Sequence, residues 1–136
     1  VRCGGGTNHR RDLAVMAMIK DNHREALARA ELSLADGVAA IRKRTAGIPV
    51  EVEIDALEQL EAALSAAPEW VLLDNMSTAD MAEAVRRTAG RAKLEASGGV
   101  NLQTVRAIAE TGVDAISVGA LTHSAGSVDI SLDLEF

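Results

Sequence analysis

Short apolar runs alternate with amphipathic stretches along the chain, a spacing that predicts βα units around a parallel sheet. Residues 16–20 predict the first strand. A helix follows, its inner face marked by Leu27, Leu34, Val38 and Ile41, with Gly47 ending it and Pro49 blocking its continuation. Residues 50–55 alternate strictly, with Val50, Val52 and Ile54 on one side and Glu51, Glu53 and Asp55 on the other, a strand whose acidic side must face water or a polar interior. Leu57, Leu60 and Leu64 mark the next helix, closed by Pro68. A buried strand over 70–73 ends at Asp74-Asn75. Ser77, with Asp80 three residues on, predicts the cap of a helix running towards Gly90. Residues 93–96 form a fourth strand, ending at Ser97-Gly98-Gly99. Asn101 caps a helix that turns Val105 and Ile108 inward and stops at Gly112, and residues 115–118 form a fifth strand ending at Gly119.

Five strands with intervening helices predict an α/β fold, an incomplete (β/α) TIM-like barrel of parallel strands, since a whole barrel takes about 250 residues and this chain has 136. An open doubly wound sheet is the alternative. Lys20, Glu53, Asp74, Ser97 and Gly119 favour the barrel, because polar and small residues collect at the strands' C-terminal ends, where barrels keep their chemistry. The chain begins Val1-Arg2-Cys3-Gly4 without an initiator Met, which reads as the middle of something longer.

Composition narrows the function classes. A net charge of -6, with Lys and Arg scattered, argues against a nucleic-acid surface. No apolar run approaches the roughly 20 residues of a membrane span, so no membrane partner is expected. With Cys3 as the one cysteine, no disulfide forms within the chain, and a reducing cytoplasm is the default compartment. Trp70 and Phe136 are the aromatics, so aliphatic side chains must fill the core.

Glu53 and Asp74 end neighbouring strands and offer an oxygen-ligand site suited to Mg²⁺; a pair of solvated acids is the bland alternative. Ser97-Gly98-Gly99 before a capped helix, facing Gly119 and His123 after the next strand, suits a phosphate held by backbone amides, although Ser-Gly-Gly also serves as a tight turn. Gly4-Gly5-Gly6 with His9-Arg10-Arg11 and the strand-end Lys20 could clamp a dianion, or be merely solvated. His23 reads as an exposed loop residue without a role. Glu51, Lys93 and Glu95 point into the barrel, where bare charge is expensive, so Lys93 is expected to pair with Glu51 or Glu95 beneath the metal site.

The strings Gly4-Gly5-Gly6-Thr7-Asn8-His9-Arg10 and Met18-Ile19-Lys20-Asp21-Asn22-His23 resemble the quinolinate phosphoribosyltransferase family (nicotinate-nucleotide pyrophosphorylase, carboxylating). So do Val50-Glu51-Val52-Glu53-Ile54-Asp55, Leu72-Leu73-Asp74-Asn75, Glu95-Ala96-Ser97-Gly98-Gly99 and Val118-Gly119-Ala120-Leu121-Thr122-His123-Ser124. The likeness spans essentially the whole chain in the family's order, and makes residues 1–136 the C-terminal part of the family's barrel domain.

The resemblance implies transfer of phosphoribosyl from phosphoribosyl pyrophosphate to quinolinate with decarboxylation, giving nicotinate mononucleotide, pyrophosphate and carbon dioxide, with Mg²⁺. It places quinolinate on His9, Arg10 and Lys20, catalysis on Lys20, Glu53 and Asp74, metal and ribose on Glu53 and Asp74, and phosphate on Ser97, Gly98, Gly119 and His123. It also implies a homodimer or higher homo-oligomer. The family's N-terminal sandwich domain, its first barrel strands with an Arg-Lys pair, and a partner-subunit Arg complete the site and are absent from this stretch. A paralogue associated with molybdenum transport shares the architecture, and a catalytically silent barrel fragment is the non-enzymatic alternative. The alternating residues 128–134 could form a last strand or a return segment, without supplying ligands.

Overall fold

The structure, a computed structural model, describes residues 1–10, 12, 14–45 and 47–135; Arg11 of the basic loop lies outside the described residues. Strand β1 (Ala17–Ile19) leads through α1 (Asp21–Arg29) and α2 (Leu34–Arg44) to β2 (Val50–Ile54). A 3₁₀ turn (Leu57–Gln59) and α3 (Leu60–Ser65) connect to β3 (Trp70–Asp74), and α4 (Thr78–Thr88) to β4 (Lys93–Ser97). Helix α5 (Val105–Ala109), β5 (Ala115–Ile116) and α6 (Ala120–His123) complete the order.

The sheet runs β1-β2-β3-β4-β5 with every pairing parallel. Strand order follows chain order without the reversal that defines a doubly wound sheet, so the architecture is a partial TIM-like barrel. Alternation sorts the side chains. Ile19, Val50, Val52, Ile54, Val71, Leu73, Leu94 and Ala96 enter one apolar core with Val38 of α2, Leu60 and Leu64 of α3, Met81 of α4 and Ile108 of α5. The opposite, concave face receives Met18 and Lys20, Glu51 and Glu53, Leu72 and Asp74, Glu95 and Ser97.

Three expectations are corrected. The single helix after β1 is two helices, because the chain turns at Glu31 (φ 55°) while Leu32 N–H bonds Leu27 C=O and Glu31 N–H bonds Ala28 C=O, a Schellman stop. Ser33 then caps α2 with Asp36, and Gly37 lets the two helices close, since a Cβ there would lie 2.7 Å from Leu27 Cδ1. Lys93 pairs with neither Glu51 nor Glu95. It stands at the N-terminal end of β4, opposite Trp70 in register, where its stem reaches water and its ammonium lies 5.1 Å from the indole centre. The alternating C-terminal stretch adds no strand: Val128, Ile130, Leu132 and Leu134 are exposed, and no described strand takes up its backbone groups.

Candidate active site at the strand tips

The tips of β1, β2, β3 and β4 lie side by side along one rim. Lys20 follows β1 and places its Nζ 2.8 Å from Glu53 Oε2 near the end of β2. The hydrogen bond to Glu53 holds the Lys20 ammonium above its ordinary pKa, and the Glu53 and Asp74 charges add to this against a desolvation cost. Asp74 lies opposite Ser97 in the β3–β4 ladder. Asn75, in left-handed backbone (φ 53°), donates its side-chain amide to Asp74 Oδ2 at 2.9 Å and its backbone N–H to Ser97 C=O at 2.9 Å. One rim thus carries a cation, two carboxylates and the start of the glycine loop.

That loop is locked against the Asp74-Asn75 tip. Gly98 has φ +92°, and a Cβ there would lie 2.2 Å from Asn75 Oδ1. Gly98→Ala is therefore expected to destabilise by about 1–3 kcal/mol from backbone strain alone, measurable as a lowered midpoint of denaturant unfolding; an unchanged midpoint would show that the loop relaxes freely. Asn101 acts as a cap, but of a turn rather than of the helix itself, accepting N–H of Gln103 (2.9 Å) and Thr104 (3.1 Å) before α5 begins at Val105. Across the rim, His123 folds back on Gly119, where a Cβ would meet its Nε2 at 2.9 Å, so these two residues share one corner.

The expected cationic clamp is not gathered at one point. His9 Nε2 lies 3.2 Å from Glu95 and 3.5 Å from Glu51, Arg10 donates to Met16 C=O at 3.2 Å, and Lys20 holds Glu53. Glu51, Glu95 and Glu53 hold His9 and Lys20 at separate points of the concave face, and Arg10 is turned to a backbone carbonyl. His9, Arg10, Glu95, Ser117 and Gly119 line a cleft of about 640 Å³ beside β5; Lys20, Glu53, Asp74, Ser97 and His123 are not part of its lining. A second hollow of about 720 Å³, lined by Pro49, Trp70 and Lys93, opens at the N-terminal ends of the strands, the stability end of a barrel.

Glu51 and Glu95 are buried, as their strand positions required. Burial first, then repulsion from Glu95, pushes the Glu51 carboxyl up to about 8, with Arg10 opposing the shift. Both Glu51 oxygens are buried without a hydrogen-bond partner.

The model of the quinolinate phosphoribosyl transferase C-terminal domain matches residues 1–133. The chain belongs to that family. A nicotinate-nucleotide pyrophosphorylase [carboxylating] of Mycobacterium leprae is 47% identical over 137 residues, which cover 98% of this chain and 47% of that protein. The structure of the nicotinate-nucleotide pyrophosphorylase from Francisella tularensis superposes with a TM-score of 0.80 at 42% identity, covering 89% of this chain and 42% of that one. NadC from Streptococcus pyogenes gives a TM-score of 0.85 at 37% identity over 94% and 44% of the two chains. The chain thus spans about half the length of the relatives it matches.

Several residues of this family member escaped the reading of the sequence. Asn75 was visible in the Asp-Asn pair, but its bond to Asp74 depends on its left-handed backbone. His23 has a role after all: its Nδ1 accepts the Lys20 backbone N–H at 3.1 Å, fixing the residue that carries the ammonium. Ser117 donates its hydroxyl to Glu95, a cross-strand contact that only register creates.

Proposed function

We propose that this chain is the substrate-holding part of an enzyme that moves phosphoribosyl from phosphoribosyl pyrophosphate to quinolinate and releases carbon dioxide, yielding nicotinate mononucleotide and pyrophosphate. The supporting observation is the joined rim of Lys20, Glu53, Asp74 and the Ser97-Gly98 loop in a chain of this family.

The chemistry suits those groups. The sugar carbon becomes cation-like as pyrophosphate departs, and Glu53 and Asp74 supply negative charge already positioned for it. Two carboxylates on adjacent strands are the donor type Mg²⁺ accepts beside water and phosphate oxygens, and each has oxygens beyond those used by Lys20 and Asn75. The residues fit the ion, with Glu53 and Asp74 holding it. Held by Glu53 and Asp74, Mg²⁺ would supply positive charge to offset that of the departing pyrophosphate. Ser97, Gly98, Gly119 and His123 hold the ribose phosphate; since Asn101 occupies the amides of Gln103 and Thr104, the donors come from the glycine loop before it. His9, Arg10 and Lys20 hold the two carboxylates of quinolinate and set its ring nitrogen against the sugar carbon. The ring nitrogen, positively charged after transfer, then accepts the electrons freed by decarboxylation of the neighbouring carboxylate.

The partners are small molecules, and a homodimer or higher homo-oligomer with an N-terminal domain completes the site. No helix among the described residues is long and apolar enough to cross a membrane. The exposed thiol of Cys3 suits a reducing cytoplasm; rice and tobacco relatives are named chloroplastic and mitochondrial.

Calorimetric titration of the complete protein with phosphoribosyl pyrophosphate, with and without Mg²⁺, tests the reading. Binding is expected to require the metal, and to fall at least tenfold in affinity in Asp74→Ala. Absence of any metal-dependent binding would overturn it and leave a silent barrel.

A further inference from the structure

Below the rim, a second set of ligand atoms converges. His9 Nε2, a Glu51 carboxylate oxygen and a Glu95 carboxylate oxygen all lie within 4.8 Å of one another. The N-terminal loop supplies His9, β2 supplies Glu51 and β4 supplies Glu95, so three separate elements meet there. Ser117 of the segment after β5 donates to Glu95 and fixes its orientation, the supporting contact that metal-bound carboxylates generally need.

We propose that His9, Glu51 and Glu95 form a second divalent-metal site, separate from Glu53 and Asp74 but sharing His9 with the quinolinate contacts proposed above, and selective for a transition metal such as Mn²⁺ or Zn²⁺ over Mg²⁺. Three observations carry it. Glu51 is fully buried and neither oxygen has a hydrogen-bond partner, a state that is costly for the ionised carboxylate and that a proton or a bound cation completes. The separations of His9 Nε2 from Glu95 and Glu51, 3.2 and 3.5 Å, are long for charge-assisted hydrogen bonds. They match the spacing of about 3.4 Å between ligands bound tetrahedrally at about 2.1 Å from one ion. The donor set is one imidazole with two carboxylates, and imidazole is the ligand that turns preference from Mg²⁺ towards Mn²⁺ or Zn²⁺. A doubly charged ion also balances the two acids. Among the described residues Arg10 also acts on Glu51 by its charge, and its guanidinium is engaged with Met16 C=O. His9 is about one-third exposed, so the site has an opening to solvent.

Electron paramagnetic resonance titration of the complete protein with Mn²⁺, in the Glu53→Ala/Asp74→Ala background that removes the rim acids, tests this. One tightly bound Mn²⁺ per chain is expected, displaced by equimolar Zn²⁺ and retained against a hundredfold excess of Mg²⁺. Glu95→Gln and His9→Gln should each weaken it at least tenfold; His9→Gln, in a surface loop, keeps the test valid if the buried substitution disturbs the fold. Mn²⁺ binding that disappears with Glu53 and Asp74, or that ignores both the Glu95 and His9 substitutions, would overturn the site. The phosphoribosyl pyrophosphate titration is independent of this result, so the two readings fail separately.

Discussion

Glu53→Ala and Asp74→Ala, each introduced into the complete protein, are expected to lower kcat by about 10²–10³ while leaving the melting temperature within a few degrees. The rate estimate is the usual loss when one preorganised electrostatic partner of a transition state is removed. The stability estimate follows from position. Glu53 is buried but its oxygen rests on a half-exposed Lys20, and Asp74 ends its strand half-buried, so removing either strands no charge in the core. Steady-state kinetics beside thermal melts separates the outcomes. Parallel losses of rate and melting temperature would recast the two as structural acids.

Glu51→Gln should act in the opposite sense, chiefly on stability and in a pH-dependent way. With its carboxyl pushed up to about 8 from an ordinary 4.5, the folded chain keeps a proton through the interval in which the unfolded chain releases it. Stability from this group is therefore complete below about pH 4.5 and is lost as pH rises through about 8. The loss amounts to about 5 kcal/mol once the group must ionise in place. Glutamine keeps the shape and cannot ionise. In the presence of a chelator, the parent should lose denaturant stability between pH 5 and pH 8.5, and the variant should lose much less. Parallel pH profiles for the two proteins would show that Glu51 is ionised in the folded state at neutral pH.

Glu51 also marks where sequence and structure part. Strict alternation in residues 50–54 placed the acids on one face and the valines on the other, because a strand has a period of two whatever surrounds it. Strand ends, the glycine loop and the small residues at the tips were legible for the same local reason. The partners of the buried acids were not. Lys93 alternates correctly towards the concave face, yet it sits exposed at the open end of its strand with its ammonium by the Trp70 indole. His9, from a loop without periodicity, took the place assigned to Lys93. Likewise the break between α1 and α2 depends on how closely Gly37 lets Leu27 approach, a contact no helical period reveals.

By itself the sequence determined the βα order, the face each strand residue occupies, and the family, since these follow from local geometry and from motifs held in fixed order. Tertiary structure decided which polar groups meet: Lys20 with Glu53, Asp74 with the Asn75 amide, His9 with Glu51 and Glu95. Charge pairing is settled by strand register, by depth and by the reach of loops, and those distances exist only after the chain has folded.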